Sequence, residues 1–118
     1  MEGYEKLIVW QKSMELVKEV YALTRNFPKS ELFGLVSQMN RAVISIPSNI
    51  AEGYRRGSKK EFVHFLRNSF GSGAELETQL KISVNLDFVK EKQILKSENL
   101  LKEIMRLLNK MINNPKLF

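Results

Sequence analysis

Apolar residues recur every three or four positions through four stretches of this chain, and turn-forming residues stand between the stretches. That period is the helical one, and nowhere does the strict alternation of a half-buried strand compete with it. The first stretch, about residues 5–26, carries two adjacent stripes. One is Trp10, Met14, Val17 and Tyr21; the other is Val9, Leu16, Val20, Leu23 and Phe27. Pro28 closes it, because the residue before a proline is pushed out of the helical region. The second stretch, 31–56, follows Ser30 as N-cap and presents Leu32, Leu35, Val36, Met39, Ala42, Val43, Ile46 and Ile50. Gly57 ends it as a C-terminal glycine. Pro47 lies inside this helix and cannot donate to the carbonyl of Val43, so a kink is expected there.

The third stretch, 59–84, opens on Ser58-Lys59-Lys60-Glu61, an S-x-x-E capping box. Phe62, Phe65, Leu66, Ser69, Phe70, Gly73, Leu76 and Leu80 share one side, and Asn85-Leu86-Asp87 supplies turn chemistry. The fourth, 90–113, stops at Asn114-Pro115 and presents Leu101, Ile104, Met105, Leu108, Met111 and Ile112, flanked by Leu100 and Leu107. Long helices joined by short connections pack as antiparallel neighbours. The expectation is an all-α, single-domain, up-down-up-down antiparallel four-helix bundle over residues 1–118, with a kinked second helix. The first and fourth helices are apolar beyond what one core seam needs. A second exposed stripe marks an interface, so a homo-oligomer is expected.

Several functions fall away on residue types alone. The chain has no cysteine, which removes disulfides, thiolate metal sites and a cysteine nucleophile. Its one histidine, His64, makes Glu61-Phe62-Val63-His64 a lone Glu-x-x-His, whereas a di-iron bundle needs that motif twice. Gly71-Ser72-Gly73 lacks the nucleophile-elbow pattern, and no second base is available. The two glycines read instead as points where another helix approaches closely. No catalytic residue, metal site or cofactor is expected, and no enzyme. The opening "MEGYEKLIVWQK" has only a four-residue apolar run, and no run approaches the about 18–20 residues of a membrane span. A cytoplasmic protein without membrane association is the expectation.

Charge is the feature left over. Lysine and arginine exceed acids by 19 to 13, giving +6. Between Arg41 and Ser72 the sequence holds six basic residues against two acids. In "EGYRRGSKKE", Arg55, Arg56, Lys59 and Lys60 surround one helix–helix turn, beside the free N–H groups of the third helix. Tyr54 stands next to them, where it could stack on a base. The competing reading makes these a solvated turn and Tyr54 a bundle-end core residue.

The run "RAVISIPSNIAEGYRRGSKKEFVHFLRNSFGSGAELETQL", Arg41 to Leu80, closely resembles the signature of bacterial four-helix-bundle proteins encoded by intervening sequences of the large-subunit ribosomal RNA gene. The opening "LIVWQKSMELVKEVYALTRNFP" looks like that family's first helix, and the likeness spans about Leu7 to Ile112. It implies a ring-like homopentamer and no enzymatic activity. By fold-level analogy it also implies kinship with the accessory protein of diversity-generating retroelements, a basic pentamer that binds nucleic acid and a reverse transcriptase. The matched positions are Arg41, Ser45, Pro47, Asn49, Glu52 and Gly53 on the second helix. On the third they are Phe62, Phe65, Leu66, Ser72, Glu75 and Leu76. Asn49 and Glu52 share a helix face, as do Ser72 and Glu75. Arg41, Ser45, Asn49, Glu52, Ser72 and Glu75 are therefore expected to form a polar network across the two helices or across a subunit interface, with Arg41 neutralising a carboxylate. The functional expectation is a homo-oligomeric bundle binding RNA or DNA through Tyr54, Arg55, Arg56, Lys59 and Lys60. The alternative is a protein-interaction scaffold whose charge serves solubility.

Overall fold

Ser58 sets the start of the third helix in the way its sequence implies: its hydroxyl oxygen accepts the Glu61 N–H at 3.1 Å. Among the described residues no hydrogen bond from the Ser58 N–H to the exposed Glu61 side chain completes the capping box. Gly57 precedes it with φ +88, a left-handed value that favours glycine. The computed structural model describes residues 3–115. In it α1 is Ile8–Thr24, α2 is Leu35–Arg55, α3 is Lys59–Asn85 and α4 is Leu95–Asn113. Short 3-10 turns, Tyr4–Lys6, Lys29–Glu31 and Glu91–Ile94, precede α1, α2 and α4. α3 ends in a Schellman arrangement: the Phe88 N–H donates to the Ser83 carbonyl and the Asp87 N–H to that of Val84. Asp87 takes the left-handed position, φ 62, where glycine is commoner.

The second helix begins later than its sequence implies, at Leu35 rather than after Ser30. Pro28 nucleates a 3-10 turn instead, its carbonyl accepting the Glu31 N–H at 2.9 Å. Gly34 then interrupts the path at φ −109, ψ −113. The cap comes from Glu31, whose Oε1 accepts the Leu35 N–H at 3.3 Å. Leu32, expected on the apolar face, is consequently exposed. The first helix likewise starts at Ile8 and ends at Thr24, and the fourth starts at Leu95.

Contacts between helices run in opposite directions along each pair. Lys12 meets Glu103 and Glu19 meets Lys96, so α1 and α4 are antiparallel. Ser45 meets Ser72 while Gly53 meets Phe65, which sets α2 against α3. Gly73 meets Met105 while Lys81 meets Glu98, which sets α3 against α4. Tyr4, just before α1, lies under Arg55, while Thr24 bonds Asn40. The four helices thus close a square bundle, 43 × 23 × 23 Å in extent.

Leu16, Val20, Met39, Val43, Ile46, Ile50, Leu66, Leu76, Leu80, Ile104 and Leu108 fill the centre. Of the two α1 stripes, Val9–Leu16–Val20–Leu23–Phe27 is the buried one. The other remains on the surface beside α2: Met14 is 43% exposed and Ile44 42%, with Trp10 and Val17 half buried between them. Two glycines carry the tightest helix contacts. A Cβ on Gly53 would lie 2.6 Å from that of Phe65, and one on Gly73 would overlap the Met105 sulfur. Gly71 differs from the expectation, since it faces solvent with nothing near its missing side chain.

Candidate nucleic-acid interface

α2 runs through Pro47 without a break, and hydroxyl and amide side chains bond the carbonyls around it. Asn49 Nδ2 donates to the Ser45 carbonyl at 2.7 Å, and Ser69 Oγ on α3 donates to the Ile46 carbonyl at 2.8 Å. The Ser45 hydroxyl lies 2.9 Å from the Ala42 carbonyl and is hydrogen-bonded to the Ser72 hydroxyl at 2.5 Å. The helix then ends in Arg55 and Arg56, and α3 begins with Lys59 and Lys60. All four cations are exposed.

Their surroundings fix two of them. The Arg55 guanidinium sits 5.3 Å above the centre of the Tyr4 ring, and that of Arg56 sits 5.0 Å above Phe65. These are cation–π distances. Arg56 also donates to Glu52 at 2.8 Å, one turn back, and that hydrogen bond raises its already high pKa. The Glu-before-Arg order at i,i+4 is the favourable one. Lys59, Lys60 and Arg55 make no ion pair among the described residues. The turn therefore presents two guanidinium planes held on aromatic rings and two lysines in water.

Tyr54 does not join them. It is half buried with its ring perpendicular to Phe62, centroids 5.8 Å apart, which is packing at the end of the bundle rather than a platform for a base. His64 is exposed and edge-on to Phe65. Ser72 bonds Ser45, not an imidazole. Among the described residues no three His, Asp or Glu side chains come together in a way that could hold a metal ion.

The expected polar network forms only in part. Ser45 and Ser72 join α2 to α3. Asn49 turns back to its own helix, and Glu52 takes Arg56, because partners one turn away are nearer than any across the interface. Arg41 and Glu75 line the same groove of about 430 Å3, yet neither makes an ion pair among the described residues. Arg41 therefore neutralises no carboxylate among the described residues. Ser69, which makes the buried α2–α3 bond, was legible only as an apolar-side position. Lys102, Arg106 and Lys110 are also exposed along α4 at i,i+4 spacing, which the expected basic site did not include. That spacing was the signal that could have found them.

Fold and site together define a class: an antiparallel four-helix bundle with a cationic helix–helix turn at one end and an apolar face on one side. The sequence model of the 23S rRNA-intervening sequence protein family matches residues 5–110, so the chain belongs to that family. It superposes with a TM-score of 0.83 on the crystal structure of a protein of unknown function from the S23 ribosomal protein family of Bacteroides thetaiotaomicron. The two are 24% identical, over 90% of this chain and 96% of the other, which establishes the shared fold. No functionally curated protein matches the chain. No helix among the described residues is long and apolar enough to cross a membrane.

Proposed function

We propose that this protein is a non-enzymatic, cytoplasmic bundle that assembles as a homo-oligomer, a pentamer, and binds nucleic acid, RNA in the first place, through its basic surface. The observation that carries the reading is the α2–α3 turn. There Arg55, Lys59 and Lys60 stand exposed without an ion pair among the described residues, while Arg56 is shared with Glu52. Cations of this kind bind polyanions by displacing condensed counterions, and they need no base contact to do so. The apolar face of Trp10, Met14, Val17 and Ile44 supports self-association, and a ring multiplies weak phosphate contacts into avidity. The family's name refers to 23S rRNA, which fits an RNA partner.

One observation favours the second reading, a scaffold for a protein partner such as a reverse transcriptase. Phe33 is 93% exposed at the α1–α2 corner, beside exposed Leu32. A salt titration of binding to structured RNA, with light scattering on the same sample, tests the first reading. Binding that weakens steeply with salt, by a particle larger than one chain, is expected. Absence of binding at low salt rejects the nucleic-acid function.

A further inference from the structure

We infer that the outer face of α4 is a second phosphate-binding surface, a ridge of Lys102, Arg106 and Lys110 that takes the phosphodiester chain of a nucleic acid. The inference rests on the nucleic-acid reading and says where along the bundle the chain would run. The three side chains are exposed and spaced at i, i+4 and i+8, so they stand in one row, about 6 Å apart along the helix axis. None makes an ion pair among the described residues.

The acids of α4 explain why the row is purely cationic. The helix has two, Glu98 and Glu103, and both turn sideways: Glu98 to Lys81 on α3 at 3.6 Å, Glu103 to Lys12 on α1 at 3.3 Å. Lys96, the remaining cation of α4, is likewise held, by Glu19 on α1 at 3.1 Å. Both acids of α4 are thus engaged at helix seams rather than with the row. Like charges at i,i+4 destabilise a helix, and this row sets two such pairs in succession. The helix dipole accounts for Lys110, in the last turn, but its effect fades within that turn and leaves Arg106 and Lys102 unexplained.

The ridge continues the basic turn. Gly73 sits against Met105 and Lys81 against Glu98, so Arg67 is level with the last turn of α4 and the first turn of α3 extends past it. Exposed Arg67 therefore flanks the Lys110 end of the ridge, and exposed Lys59 and Lys60 stand beyond it at the same end of the bundle. The α3–α4 side also lies opposite the apolar α1–α2 face, and stays open when that face is covered by another copy.

The test measures binding of the full chain to a labelled RNA duplex of about 20 base pairs, and to the DNA duplex of the same sequence, over about 50–200 mM salt. Wild type is compared with K102Q/R106Q/K110Q. The variant should bind about tenfold or more weakly at low salt, and its slope of log affinity against log salt should fall by about 2–3, since each lost phosphate contact removes about 0.9. Its melting temperature should hold or rise, because two repulsive pairs are gone. Slope loss on either duplex supports the ridge, and tighter binding of RNA identifies RNA as its source. Wild-type binding with unchanged affinity and slope in the variant overturns the ridge and leaves the basic turn as the site. Displacement of the RNA by polyglutamate at equal charge also overturns it, in favour of an acidic polypeptide. If wild type binds neither duplex at low salt, the nucleic-acid reading falls and the ridge with it.

Discussion

The buried hydroxyl of Ser69 on α3 donates to the carbonyl of Ile46 on α2 at 2.8 Å, one residue before Pro47. The bond locks the two most closely joined helices at the point where a proline removes one of α2's own donors. Ser69→Ala should cost about 1 kcal/mol, the worth of a buried hydrogen bond. Ser72→Ala should cost less, because the half-buried Ser45 hydroxyl keeps its bond to the Ala42 carbonyl. Urea unfolding of the two variants ranks them, and equal stabilities would contradict this account of the α2–α3 seam.

The three helical glycines should respond in different directions to alanine. Gly53→Ala drives a methyl into the Cβ of Phe65 and should destabilise by about 1–3 kcal/mol. Gly73→Ala meets the flexible Met105 side chain and should cost less. Gly71→Ala meets nothing and should stabilise by up to about 1 kcal/mol through helix propensity alone. Thermal melts of the three single variants decide the order.

Gln79 is 4% exposed, and its Oε1 has no hydrogen-bond partner among the described residues. Gln79→Leu replaces an unsatisfied buried acceptor by an apolar group of similar size, and should raise stability by about 1 kcal/mol. A lower melting temperature would mean that the amide finds a partner in the assembled particle.

Glu52→Gln removes the carboxylate that holds Arg56 and leaves the turn one unit more positive. RNA should bind the variant more tightly at low salt, with the difference shrinking as salt rises. Stability should change little, because an exposed pair of this kind contributes little. Unchanged affinity would place the nucleic acid away from the turn.

Met14→Glu and Ile44→Glu put charge on the apolar α1–α2 face without touching the core. Each should reduce the particle to a single chain by light scattering while helix content stays constant. A particle of unchanged mass would move the interface elsewhere.

Much of the fold was legible because apolar spacing reports which side of a helix is buried. The two α1 stripes were separable in the sequence, and Ser58 announced the start of α3. The start of α2 was not legible: Ser30 looks like a cap, but Pro28 and Gly34 decide the path through backbone geometry that apolar spacing does not record. At the site, the charges of residues 55–60 are adjacent in the chain and so were easy to see. The row on α4 was harder, because Glu98 and Glu103 dilute it along the chain. Only the bundle shows that those acids point sideways. Asn49 and Glu52 misled for the opposite reason: sharing a face with a neighbouring helix says nothing about whether a nearer partner on the same helix will be taken first.

The antiparallel order has a practical corollary. The 3-10 turn that leads into α1, the α2–α3 turn and the last turn of α4 all lie at one end of the bundle, as the stacking of Arg55 on Tyr4 and the hollow shared by Lys6, Val9, Lys110 and Met111 record. An affinity handle joined just ahead of Tyr4 or just after Asn114 would therefore start at the end that carries the cationic turn. A polyhistidine or acidic tag could there imitate or mask a ligand, so binding measurements call for protein from which the handle has been cleaved.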